Sequence, residues 1–155
     1  RGSAMRAYRR AVMTVLGAAA LLIAGYTATL AEDGVHRLAI QISDNNPQKM
    51  NTVLNVAANV VRHYSSKGEE AEVKIVAFNL GLHMLRSDTS PVQKRIKSFG
   101  ESMPNVTFHA CNNTIQGMTK KEGKEPPILP VAEIVPAGVV TLMELNEAGW
   151  TIIRP

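Results

Sequence analysis

Arg37–Tyr64, RLAIQISDNNPQKMNTVLNVAANVVRHY, is the stretch whose reading decides the fold. Its first seven residues alternate apolar and polar, the period of a strand with one buried face. The alternation stops at Asp44-Asn45-Asn46-Pro47. Pro47 suits the first position of a helix and Asn46 suits its cap. From there Met50, Val53, Leu54, Ala57, Val60, Val61 and Tyr64 recur at three- and four-residue steps, which is one apolar helical face. Lys67–Gly68 supplies the helix stop. A strand that passes through a short loop into a long amphipathic helix is the opening half of a βαβ unit.

The same grammar repeats towards the C-terminus. Glu72–Asn79 (EVKIVAFN) reads as a second strand that breaks at Leu80–Gly81, and Leu82–Arg86 as a helical turn. Asp88-Thr89-Ser90-Pro91 reads as a second cap-and-proline helix start, with Val92, Ile96 and Phe99 as its apolar face. Asn105–Ala110 (NVTFHA) is a third strand and Cys111–Met118 (CNNTIQGM) a short helix. Thr119–Pro127 (TKKEGKEPP) is charged, carries Gly and Pro, and reads as an exposed loop. Val131–Val135, Ala137–Ala148 and Trp150–Arg154 complete the series as strand, helix and strand. This βαβαβαβαβ order predicts an α/β, three-layer α/β/α flavodoxin-like fold with a mostly parallel five-stranded sheet.

Towards the N-terminus the character changes. Arg1–Ala4 (RGSA) reads as a cloning scar. Residues 5–31 read as a signal peptide: basic MRAYRR, the apolar run Ala11–Ala24, then small residues up to Ala31. An uncleaved anchor is the alternative, because Ala11–Ala31 is long enough to cross a bilayer. Residues 32–155 then form the domain, in the periplasm or otherwise exported, with membrane attachment only through an uncleaved leader. The leader also holds four of the 17 basic residues (Arg1, Arg6, Arg9, Arg10); the remaining 13 balance the 13 acidic ones. A neutral domain offers no electrostatic reason to bind nucleic acid.

In open parallel sheets ligand sites gather at the carboxyl ends of the strands. Those ends deliver Asn46 from the first strand, Asn79 and His83 from the second, and His109, Cys111, Asn112 and Asn113 from the third. The fourth delivers Gly138. Cys111 is the sole cysteine, at the junction of a strand and a helix N-terminus, where free N–H groups favour a thiolate. Such a thiolate can accept sulfane sulfur or form a mixed disulfide; the bland reading is a small buried hydrophobe. His109 shares the strand face of Cys111 and fits a base, a charge partner or a structural histidine. His83 fits the same cleft or a surface loop. A Cys111/His109/His83 metal site lacks a spacing motif. No phosphate-binding glycine loop and no nucleophile elbow occurs, so no organic cofactor is expected.

The segments DNNPQKMNTVLNVAANV, VKIVAFNLGLHMLR, VTFHACNNT and VPAGVVTLMELNEAGWTIIRP, taken in order, resemble the DsrE/DsrF-like family of sulfur-relay proteins. The resemblance spans residues 35–155. It implies a flavodoxin-like domain in homo-oligomers, trimers or hexamers among them. It also implies a sulfur-carrier or sulfurtransferase role in which Cys111 takes sulfur from a donor protein or small sulfur compound and hands it on. The signal peptide departs from the cytoplasmic relay members. A non-enzymatic ligand-binding or assembly module with an unreactive cysteine is the competing expectation.

Overall fold

The computed structural model describes residues 34–155. The expected scar, signal peptide and anchor lie outside the described residues. Among the described residues five strands and four α-helices alternate. They are β1 (Val35–Ile42), α1 (Pro47–Ser65), β2 (Glu70–Ala77), α2 (Gln93–Ser102), β3 (Val106–Cys111), α3 (Asn112–Glu122), β4 (Ala132–Val135), α4 (Gly138–Glu147) and β5 (Thr151–Ile153). A 3₁₀ helix, Asn79–Leu85, follows β2. The sheet order is β4-β3-β2-β1-β5 and every pairing is parallel.

The layers follow from the order of crossovers. From β1 to β4 the chain steps one way across the sheet, and right-handed connections put successive helices on the same face. Accordingly α1, α2, α3 and the 3₁₀ helix share one core with Ile40, Ile42, Val73, Ile75 and Phe108. The last crossover reverses direction to reach β5 beside β1, so α4 covers the opposite face. There Leu142 and Leu145 pack on Ala39, Val76, Cys111 and Trp150. The sheet is thus covered by three helices on one side and one on the other.

The α1 start conforms to its sequence. Asn46 Oδ1 accepts from the Gln48 and Lys49 N–H groups at 2.8 and 3.2 Å, and Pro47 opens the helix. Met50, Val53, Leu54 and Ala57 are fully buried. Two local expectations are corrected. The Asp88-Thr89-Ser90-Pro91 stretch does not open α2, which begins at Gln93 without a side-chain cap; the Asp88 carboxylate binds Arg86 at 2.8 and 2.9 Å instead. The stretch after Met118 is not loop as far as Glu122: α3 runs on and ends at Gly123, whose φ of 72° suits only glycine well. Both corrections have one cause. Arg86 is only 3% exposed, and its guanidinium needs the carboxylates of Asp88 and Glu122, the latter at 2.6 and 2.9 Å. That demand holds the last turn of α3 in helical form.

Gly81 has the least room for a side chain among the described glycines. A Cβ there would collide with the Ile42 carbonyl and come within 2.8 Å of Ser43 Cα. The contact fixes the 3₁₀ helix against the end of β1. Gly81→Ala is expected to destabilise the domain by about 2 kcal/mol or more, as overpacking against rigid backbone does; urea denaturation against wild type measures it.

Candidate functional site

The carboxyl ends of β2, β3 and β4 meet around Cys111. The cysteine is the last residue of β3 and sits at the N-cap of α3, with its side chain on the face that α4 covers. No side chain caps α3, and none caps α4. Two helix N-termini with free N–H groups therefore converge on one sulfur. Gly138, first residue of α4, makes the approach feasible: a Cβ there would lie 3.1 Å from Phe78 and 3.3 Å from Cys111 Cβ.

Burial pushes the Cys111 thiol up. Hydrogen bonding from the Thr114 hydroxyl and from the N–H groups of Gly138, Thr114 and Asn113 outweighs it, and the thiol falls below its ordinary pKa. The Thr114 hydroxyl is oriented from behind. Asn79 N–H donates to Thr114 Oγ1 at 3.0 Å, which leaves the hydroxyl proton free to point at sulfur. Asn79 achieves this with a φ of 49°, the left-handed conformation that asparagine tolerates better than most residues. Asn113 N–H is shared with Pro136 O at 3.3 Å, tying the start of α3 to the loop before α4.

A cavity of about 580 Å³ opens over the thiol. Asn79, Asn113 and Gly138 line it, together with Thr114, Gly117 and Lys121. Four expected residues are not brought there. Asn46 is spent as the α1 cap. His83 Nδ1 pairs with Thr89 Oγ1 at 2.9 Å, and His83 is not in the lining. Asn112 belongs to the first turn of α3 but does not line the cavity. His109 shares the strand face of Cys111, yet its Nε2 pairs with Thr107 Oγ1 at 3.0 Å, on the side away from the thiol. Among the described residues its buried Nδ1 has no hydrogen-bond partner, with Glu133 Oε2 beyond bonding reach at 3.6 Å. Among the described residues no group of three His, Cys, Asp or Glu could hold a metal ion, so the Cys111/His109/His83 site does not form. Thr114 was missed by the sequence reading. Its signal was its place three residues after the cap position, where a hydroxyl reaches back over residue 111.

Thr114→Val is expected to raise the thiol pKa. The rate of Cys111 alkylation by iodoacetamide at neutral pH should drop about tenfold, the worth of one hydrogen bond to a charged group. A pH–rate profile reads both effects. His109 has its pKa lowered, chiefly by burial, with Lys74 adding to the shift and Glu133 opposing it. Its unfolded pKa is the higher one, so its contribution to stability is complete above that value and is lost as pH falls through the folded one. Denaturation midpoints of wild type should therefore drop more steeply below about pH 6.5 than those of His109→Gln.

Neither a protein-family model nor a curated protein matches the chain. Among solved structures it is similar to a protein of unknown function from Methanobacterium thermoautotrophicum, with a TM-score of 0.66 and 22% sequence identity. The match covers 77% of this chain and 99% of that one. At this identity the likeness shows the fold: an all-parallel, five-stranded α/β domain consistent with a flavodoxin-like three-layer arrangement.

Proposed function

We propose that the protein is a sulfur carrier that holds sulfane sulfur as a persulfide on Cys111. The observation that supports this best is the set of donors around the sulfur. A buried cysteine kept only for packing needs no hydroxyl and no pair of uncapped helix starts, and burial alone would raise its pKa. Here hydrogen bonding reverses the sign of the shift.

The chemistry requires no resident cofactor. The Cys111 thiolate attacks a sulfane sulfur of the donor. A new S–S bond forms on Cys111, the donor's S–S bond breaks, and the donor leaves as a thiolate that carries the electron pair. The outer sulfur of the persulfide stands about 2 Å farther into the cavity, the length of an S–S bond. An acceptor thiolate or other nucleophile attacks that outer sulfur and regenerates Cys111. The resemblance to sulfur-relay proteins points the same way. Association into homo-oligomers belongs to this reading and is supported by exposed Ile134 on edge strand β4 and Met143 on α4.

The competing reading, a ligand-binding or assembly module, draws on the low exposure of Cys111, 5%. Intact-mass analysis after polysulfide or thiosulfate treatment separates the two. The expected result is a 32 Da gain on wild type (about one sulfur atom), removed by dithiothreitol and absent in Cys111→Ser. No gain on wild type, together with native-state alkylation far slower than in urea, would sink the carrier reading.

A further inference from the structure

Beyond Asn113 in its first turn, α3 presents Thr114, Gly117, Met118 and Lys121 to the cavity, spaced so that these four share one helix face. Gly117 is the odd member. It sits inside the helix, where glycine costs about 1 kcal/mol relative to alanine. A Cβ at Gly117 would meet nothing within 4 Å, so no packing contact demands the glycine. What its missing side chain does provide is open volume in the cavity that also holds the thiol.

The rest of the lining has a definite chemistry. Leu80, Val139 and Val140 are 59, 54 and 49% exposed and stand around the mouth. Among the described residues no carboxylate lines the cavity, and Lys121 is its one cationic residue. Helical side chains lean towards the N-terminus, so the Lys121 stem leans back towards Thr114 and the thiol.

Resting on the carrier reading, we infer that the cavity selects a small anionic sulfur donor with a polarisable, apolar body, an inorganic polysulfide chain, and that Lys121 and Gly117 set this selection. The sulfur chain lies along Gly117 and Met118 between the aliphatic residues of the mouth, with one charged end at Lys121. The transfer balances without an added oxidant or reductant. The Cys111 thiolate and a polysulfide dianion of n sulfurs give the Cys111 persulfide anion and a dianion one sulfur shorter. One S–S bond forms, one breaks, and no proton moves.

The test is the rate of persulfide formation on the full chain, by intact mass, with sodium tetrasulfide and with the bulkier glutathione persulfide. Wild type should prefer tetrasulfide. Lys121→Gln should slow the tetrasulfide reaction about fivefold, the effect of one charge on another about 4 Å away in water, and Lys121→Glu should slow it further. Iodoacetamide, being neutral, reports the change in thiolate fraction alone, and the tetrasulfide rates should still fall after division by its labelling rates. Gly117→Leu should slow tetrasulfide while leaving the thermal midpoint unchanged or raised, which separates blocking from unfolding. Equal tetrasulfide rates in wild type and Lys121→Glu would overturn this inference and leave the carrier reading standing. Uptake only from a protein-bound persulfide would overturn it in favour of a docking protein. No sulfur uptake by wild type from any donor would remove the carrier reading and this inference together.

Discussion

Parallel pairing is the constraint from which the rest follows. A parallel strand cannot be reached by a tight hairpin, so every connection must climb back along the sheet. All five strands of this domain run the same way. Their carboxyl ends are therefore gathered at one edge, and α3 and α4 start there directly after their strands without a side-chain cap. The reversal of direction before β5 sends α4 across the opposite face from α3. That reversal is what lets two helix starts approach one residue from two sides, and Cys111 is that residue.

The energetics at Cys111 are a contest between burial and donation. Taking a thiolate out of water is costly, and at 5% exposure the sulfur meets most of that cost. Hydrogen bonds to a charged group contribute about 1.5–3 kcal/mol each, and helix N-termini add a further favourable field. Several donors together prevail over burial here. The arrangement is rigid because each donor is itself held. Thr114 is fixed by Asn79, the start of α3 by Pro136, and the position of α4 by the absence of a side chain on Gly138.

Arg86 does comparable work at the other end of α3. Its guanidinium is nine-tenths buried and more, and it joins Asp88 to Glu122 while one nitrogen lies 3.7 Å from Met118 Sδ. Two carboxylates beside it hold its pKa above the usual guanidinium value, and the carboxylates in turn fall below theirs. A pair of this kind is valued more for fixing one geometry than for net stability. The geometry it fixes is the last turn of α3, next to the wall that carries Met118 and Lys121.

Much of the architecture was legible in the chain itself. Period-two strands and a period-3.6 helix are written in Arg37–Tyr64 because local sterics and burial of a single face act over neighbouring residues. Those same rules marked Asn46–Pro47 as a helix start and Cys111 as the residue between a strand and a helix. What only the tertiary structure decided was which residues share a space. His109 lies two residues from Cys111 and turns to Thr107. Asn79 lies thirty-five residues from Thr114 and holds it at 3.0 Å. Glu122, read as loop, is drawn into helix by an arginine thirty-six residues away. Periodicity records how a residue faces its own element; the partner across the sheet depends on crossover direction and close packing, which no local window contains.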